Sequence, residues 1–193
     1  MSRIEVLDAI VARHDLNTHP FYVEWTMGTL PVAKLQDYAA EYGHFVGTIA
    51  KGWDTIGEAG YADEEREHEV LWSHFQGAID SKPSAGRAHT HTLVTAANNL
   101  FGCAPEAVGA LYAFEAQQPH TSRAKLDGLN KHYSVSEAGK EYFVVHADDV
   151  HEVENLRARV EAMSEAEFER TKSACSVVCS AMWSALDGVY HQA

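Results

Sequence analysis

Basic residues are scarce in this chain. Its 193 residues include 15 Lys and Arg against 28 Asp and Glu, which gives a formal net charge of −13 at pH 7. Such an excess of negative charge repels the phosphates of nucleic acids and the headgroups of anionic membranes, so neither is expected as a partner. Long apolar runs are also missing, and the sequence therefore predicts no membrane-spanning segment.

Cysteine is equally sparse. The three cysteines, Cys103, Cys175 and Cys179, contain no Cys-x-x-Cys pair, and an odd number cannot all pair within one chain. They indicate free thiols in a reducing compartment. Residues 1–8 carry acids where a secretory signal would need an apolar run. We therefore expect a cytoplasmic protein.

The alternation of apolar and polar residues that is typical of a half-buried strand is also missing. Apolar residues instead recur at three- and four-residue spacings along nearly the whole chain, as at Leu35, Tyr38, Tyr42 and Phe45. Prolines and glycines mark several of the breaks between such segments. The sequence predicts a single all-α domain over residues 1–193, built as a bundle of seven or eight helices.

Three of the predicted helices carry titratable side chains on their apolar faces. These side chains are Glu65 and His68 on the first helix, Glu115 on the second, and His146 and Asp149 on the third. Taken singly, each has an ordinary explanation as a solvated helix start, a buried ion pair or a packed histidine. Together, three inward clusters favour a metal site. Carboxylates and imidazoles without cysteine suit non-haem iron or manganese.

Three stretches of the sequence resemble a known family. They are NTHPFYVEW at 17–25, LYAFEAQQP at 111–119 and YFVVH at 142–146. These stretches resemble the haem-oxygenase-like di-metal oxidases, and among them most closely the proteins related to the Chlamydia protein associating with death domains, which form para-aminobenzoate for folate synthesis. The resemblance covers residues 17–160. It implies a bundle of the TenA/PqqC-like, haem-oxygenase-like fold.

The resemblance also implies roles for individual residues. The metal ligands would be Glu65, His68, Glu115, His146, Asp149 and His151, holding two irons or one iron and one manganese. In that family a tyrosine of the chain supplies the aromatic ring and a lysine is the proposed amino donor. The matching positions are Tyr22, with Tyr38 as a second tyrosine, and Lys125. O₂ and a reductant would be consumed. We also expect a homodimer, since related bundles commonly self-associate.

One departure from the family pattern concerns the first carboxylate ligand. The loop that supplies it is shortened here, so that either Glu64 or Glu65 must substitute. Glu65 is preferred because Glu65-x-x-His68 places a carboxylate and an imidazole on one helix face, the spacing used in di-iron bundles.

A second departure concerns the last ligand helix. The family spacing His-x-x-x-Asp-x-x-His is compressed here to the segment His146–His151, which leaves Asp148 and Asp149 as alternative ligands. On a regular helix His151 would lie about 140° from His146. A π-bulge would realign the two histidines. Without one, the second metal would be weakly held or absent.

Two other functions are compatible with the sequence alone. The first is an oxidase that uses the same metal site on an external small substrate, such as an amino acid or a fatty acid. The second is a metal-free, PqqC/TenA-like protein that binds a small molecule, in which arginines would pair with the buried acids. The metal-free protein would have an apolar pocket and bind no iron, so metal analysis separates it from the oxidases.

Overall fold

The computed structural model describes residues 1–191, and every regular element in this range is helical. The all-α prediction is therefore confirmed. A single 3₁₀ turn, Leu16–Thr18, joins the first two helices. The eleven α-helices of residues 1–191 are α1 Arg3–Ala12, α2 Pro20–Met27, α3 Val32–Val46, α4 Ile49–Thr55, α5 Ala59–Ala78, α6 Ala88–Leu100, α7 Ala104–Glu115, α8 Gln118–His132, α9 Glu137–Asp148, α10 His151–Ala162 and α11 Glu165–His191.

Residues 1–191 form eleven helices instead of the seven or eight predicted, because three stretches expected to be continuous helices are each interrupted once. The breaks fall at residues 47–48, 116–117 and 149–150. At the second break, Pro119 lies in the first turn of α8, where its missing amide proton leaves no hydrogen bond unmade. The third break has the largest consequence for function, because it lies inside the compressed ligand motif.

Local sequence signals set several helix ends. Ser2 and Glu5 form a capping box at the start of α1. The hydroxyl of Ser136 accepts a hydrogen bond from the backbone of Gly139 at the start of α9. Gly28 ends α2 with a φ of +71°, and a Cβ there would lie 2.4 Å from the ring of His132. Glycine is therefore required on two grounds, its backbone conformation and the close approach of α8.

The longest helix of the described chain, α11, forms the back of the bundle and packs along α6 and α7. Gly109 allows this close packing, because a Cβ at that position would lie 2.0 Å from the backbone oxygen of Thr171. Cys175 and Cys179 are buried in α11 and Cys103 is exposed, and all three are free thiols. Opposite α11, helix α5 packs against α9, and α10 packs against α7. The buried glutamate and histidine side chains of α5, α7, α9 and α10 therefore face one another between these four helices.

Within residues 1–191 the structure has no helix with the length and apolar composition needed to cross a bilayer.

Candidate metal centre

Glu65 and His68 lie one helical turn apart on the buried face of α5. Glu65 is fully buried and His68 nearly so. Nδ1 of His68 lies 3.3 Å from Oε1 of Glu65. Glu64, the alternative first ligand, is half exposed. Of the two adjacent glutamates, Glu65 is therefore the one that faces the interior of the bundle.

Helix α9 places His146 directly against His68, with ring centroids 4.3 Å apart. Nδ1 of His146 lies 2.6 Å from the carbonyl oxygen of Tyr142. Because a carbonyl only accepts, this nitrogen carries the proton and Nε2 is left as the acceptor. Nε2 is buried and has no hydrogen-bond partner within residues 1–191. Ligating atoms of Glu65, His68 and His146 lie within 4.8 Å of one another, a spacing that suits one metal ion.

A second group of potential ligands shares Glu65 with the first. Glu115, the last residue of α7, and Glu152, in the first turn of α10, are both buried. One oxygen from each of Glu65, Glu115 and Glu152 lies within 4.8 Å of the other two. Both oxygens of Glu115, Oε2 of Glu65 and Oε1 of Glu152 have no hydrogen-bond partner in the described chain. Buried polar atoms are rarely left in this state, so these oxygens fit a bound cation.

Sequence reasoning did not select Glu152. Its burial follows from its position one helical turn before Leu156 and two before Val160, both of which are buried. In a continuous helix from residue 136 to 163, however, Glu152 would lie about 120° from His146 and so off the face that carries the earlier ligands. The break before His151 removes this conflict.

Burial and mutual repulsion control the proton affinities of these groups. Burial, followed by the charges of Glu152 and Glu65, raises the pKa of Glu115 well above its usual range. Burial and the charge of Glu65 likewise raise the pKa of Glu152. Burial, with the nearby His68, lowers the pKa of His146 to about 3. Without metal, Glu115 and Glu152 therefore hold their protons more tightly than ordinary carboxyl groups and His146 stays neutral, and a cation that replaced the protons would relieve the repulsion.

Arg66 of α5 and Arg159 of α10 have acidic partners away from the buried glutamates. Arg66 binds Asp54 and Asp63, and Arg159 binds Glu58. Among residues 1–191, no lysine or arginine forms a salt bridge with the three buried glutamates; the ion pair found there is His68 with Glu65. The arginine-paired acids that a metal-free binding protein requires are thus not found in the described structure.

The break between α9 and α10 determines where His151 lies. Helix α9 ends at Asp148, and the next two residues leave helical geometry before α10 begins. The segment is therefore neither a regular helix nor a π-bulge. His151 is half exposed, its Nε2 lies 3.2 Å from Oε2 of Glu64, and its ring stacks on Tyr61 with centroids 5.1 Å apart.

The two alternative aspartates of the compressed motif lie in different environments. Asp148 is almost fully exposed and faces Arg123 at 3.5 Å. Asp149 is largely buried and contacts the imidazole of His151. Burial alone would lower the pKa of His68. The hydrogen bond and charge of Glu65, with a smaller contribution from the charge of Asp149, outweigh burial and raise that pKa. Asp149 therefore lies beside the buried cluster, and Asp148 lies outside it.

A second cluster contains the predicted tyrosines and lysine. The hydroxyl groups of Tyr22 and Tyr38 are 2.8 Å apart. Nζ of Lys125 lies 5.1 Å from the ring centroid of Tyr22 and 5.8 Å from that of Tyr42. All four side chains are buried, and burial lowers the pKa of Lys125 to about 7. A large fraction of this lysine is therefore neutral near pH 7, the form in which an amine is nucleophilic.

Aromatic contacts connect this cluster to the candidate ligands. The ring of Tyr142 lies 4.2 Å from that of His146 and 4.8 Å from that of Trp72. Trp72 in turn lies 5.8 Å from Tyr38, the hydrogen-bonded partner of Tyr22. A continuous series of ring contacts thus runs from His146 to the tyrosine pair.

Comparison with known proteins identifies the family. The family model described as "Iron-containing redox enzyme" matches residues 55–185, a range that includes every candidate ligand. The chain belongs to this family. The expectation of an iron-dependent oxidoreductase is thereby confirmed, and the buried, partnerless glutamate and histidine atoms agree with it.

Individual relatives agree with the family match. A 4-aminobenzoate synthase of Nitrosomonas europaea is 27% identical over 95% of this chain and 89% of that protein. A second, from Chlamydia trachomatis, is 26% identical over 97% of this chain and 91% of that protein. Among solved structures, a domain with a heme oxygenase-like fold from Shewanella denitrificans has a TM-score of 0.80 at 16% identity, covering 98% of this chain and 92% of that one. The haem-oxygenase-like fold predicted from the sequence is confirmed.

Proposed function

We propose that this protein is an O₂-dependent di-metal oxidase that forms 4-aminobenzoate from one of its own tyrosines. The observation that carries the proposal is the pairing of two buried clusters. One is a set of glutamate and histidine side chains with partnerless ligating atoms. The other places a buried lysine over the ring of Tyr22. The curated relatives named 4-aminobenzoate synthase support the same activity.

Glu65, His68, Glu115 and His146 would hold the metal ions, and acidic residues close to the break between α9 and α10 would complete the set. The donor set of carboxylates and neutral imidazole suits two irons and equally one iron with one manganese. Iron in such a site supplies the electrons and the open coordination positions needed to reduce O₂. The hydrogen bond from Nδ1 of His146 to the carbonyl of Tyr142 fixes the tautomer whose Nε2 can bind metal.

Tyr22 and Tyr38 act as the oxidisable pair. Burial raises the pKa of both phenols, so each stays protonated and must lose a proton when it loses an electron. The hydroxyl–hydroxyl contact of 2.8 Å gives that proton an immediate acceptor. Ring contacts through Trp72 and Tyr142 connect the pair to His146. Exclusion of water from these rings protects an oxidised tyrosine from side reactions.

Lys125 supplies nitrogen to the ring. Its Nζ lies over the face of Tyr22, and the apolar surroundings keep much of the amine neutral near pH 7. A two-electron-oxidised phenol ring is electron-poor, and a neutral amine held at its face is suited to add to the carbon that bears the phenolic oxygen, which would leave as water. Transfer of the double bond to Cε would return two electrons to the ring, and hydrolysis of that imine would break the Cε–Nζ bond, leaving the nitrogen on the ring and an aldehyde on the former lysine. In this role the lysine must be both buried and uncharged, which explains an otherwise unfavourable residue in the core.

The test is product release from a single reaction cycle. Protein loaded with Fe(II) without oxygen is exposed to O₂ and a reductant, and 4-aminobenzoate is measured by mass spectrometry. We expect at most about one equivalent per chain, as follows from one Tyr22 for each chain. Tyr22→Phe and Lys125→Met should abolish release and keep the iron content of the wild type.

Tyr112→Phe is the matched control, because Tyr112 is equally buried but its hydroxyl donates to Asp8 of α1. Its yield should equal that of the wild type. Normal yield from both Tyr22→Phe and Lys125→Met would contradict the proposal and indicate an external substrate. A folded wild-type protein that binds no iron would contradict the oxidase itself.

A further inference from the structure

Glu152 is buried at a position where acidic residues are normally exposed. It lies in the first turn of α10, where an acid is favoured by the partial positive charge of the helix N-terminus without any need for burial. Glu154, in the same turn, is exposed, and His151 is half exposed. Glu152 is only 3% exposed. Its carboxylate points into the bundle, toward Glu65 and Glu115.

The interior side of Glu152 supplies no compensation for this burial. Oε1 has no hydrogen-bond partner in residues 1–191. Toward the interior, the ligating atoms within 4.8 Å belong to two further carboxylates, those of Glu65 and Glu115; toward the exposed rim, Glu64 and His151 lie within the same distance. Burial of carboxylates without partners is strongly unfavourable unless a cation joins them. The nearby Nε2 of His146, buried and also without a partner, is an independent sign that this interior is built to hold cations.

We propose that Glu152 is a ligand of the second metal ion and that Glu65 bridges the two ions. This inference rests on the di-metal centre of the proposed function and assigns its ligands. One ion is held by Glu65, His68 and His146, and the other by Glu65, Glu115 and Glu152.

The bridging role of Glu65 follows from its membership of both groups of ligating atoms. One of its oxygens, Oε1, lies 3.3 Å from Nδ1 of His68, on the side of the two histidines. Its other oxygen, Oε2, is buried without a partner. A carboxylate that belongs to both groups and has one oxygen without a hydrogen bond is able to bind one metal ion through each oxygen.

The compressed motif explains why Glu152 takes this role. The break at residues 149–150 restarts the helix at His151, which turns His151 toward solvent and the next residue toward the interior. His151 binds Glu64 and stacks on Tyr61 at the rim of the site. The shortened spacing therefore replaces the terminal histidine of the motif with a glutamate as the inward ligand.

The experiment measures iron per chain after anaerobic loading with Fe(II), for the wild type and three variants. Glu152→Gln removes the proposed ligand with little change in shape. Glu154→Gln makes the same chemical change in the same turn at an exposed position, and His151→Gln tests the competing ligand. Melting temperatures with and without Fe(II), and circular dichroism, report folding and metal-linked stabilisation independently of activity.

The wild type, Glu154→Gln and His151→Gln should each bind about two irons, and Glu152→Gln about one or fewer, at least a twofold loss. The rise in melting temperature with Fe(II) should shrink in Glu152→Gln alone. Two irons in folded Glu152→Gln, or the same loss in His151→Gln, would overturn the assignment. If Glu152→Gln does not fold, Glu152→Asp, which keeps the charge and withdraws the carboxylate by one methylene, is judged by the same criteria. Failure of the wild type to bind any iron would instead contradict the proposed function.

Discussion

Replacing Lys125 by methionine should stabilise the metal-free protein at pH 6, and the gain should vanish as the pH rises. Lys125 is 1% exposed, and its ammonium group lies among the rings of Tyr22, Tyr42 and Phe143. Burial lowers its pKa from 10.5 to about 7. Methionine has a similar length and no charge, so it removes the desolvation penalty and keeps most of the packing.

The magnitude follows from the difference between the two pKa values. One pKa unit corresponds to about 1.4 kcal/mol, so a fall from 10.5 to about 7 corresponds to about 5 kcal/mol. Below pH 7 the lysine is charged in both the folded and unfolded states, and the full penalty is present. Between pH 7 and 10.5 only the unfolded state holds the proton, so the stability of the wild type rises with pH. Above that range the penalty is gone.

The assay is urea unfolding of chelator-treated protein at pH 6, 7.5 and 9. The advantage of Lys125→Met in free energy of unfolding should be about 5 kcal/mol at pH 6 and should fall by about 1.4 kcal/mol per pH unit above pH 7. Lys131→Met is the control, because Lys131 is exposed on the same helix and pairs with Asp127 at 2.6 Å. It should change stability by less than about 0.5 kcal/mol at every pH. A difference independent of pH, or a wild type more stable than Lys125→Met at pH 6, would refute the reasoning.

Three further predictions concern the metal site, the tyrosine pair and the bundle. Burial and neighbouring charges raise the pKa of Glu115, so iron must displace protons when it binds. Fe(II) affinity measured by chelator competition should therefore increase from pH 6 to pH 8, and equal affinity at both pH values would contradict this. Tyr38→Phe removes the hydroxyl contact with Tyr22, and should lower the yield of 4-aminobenzoate with iron content unchanged, whereas a normal yield would exclude a proton-accepting role. Gly109→Ala places a Cβ 2.0 Å from the oxygen of Thr171, and should lower stability by about 3 kcal/mol in thermal unfolding; a loss below about 0.5 kcal/mol would show that α7 and α11 can separate freely.

Helical periodicity was sufficient to find four of the proposed ligands. Glu65, His68, Glu115 and His146 each share a helix face with large apolar residues, and the structure buries all four. This inference works because the facing of a side chain depends only on its spacing from neighbours in the same helix.

Glu152 was not selected in this way because, in an unbroken helix, it shares a face with Leu156 and Val160 but not with His146, and the break that removes this conflict has no local signal. The residues at the break, Asp149 and Val150, are neither proline nor glycine. Elsewhere such signals exist, as with Gly47 at the first break and Pro119 just after the second. When the end of a helix depends on packing between distant helices, the sequence alone does not show where the next helix starts. The orientation of every later residue relative to the earlier ones then cannot be read from the sequence.

The origin of the aromatic ring provides the most direct test of the central claim, that iron and O₂ convert a tyrosine of this chain into 4-aminobenzoate. Protein is produced with tyrosine labelled by ¹³C in the ring and all other residues unlabelled. After loading with Fe(II) and exposure to O₂ and a reductant, the released 4-aminobenzoate is analysed by mass spectrometry. The account predicts that the product carries the complete ring label and that Tyr22→Phe releases none. Unlabelled product, or labelled product in normal yield from Tyr22→Phe, would contradict it.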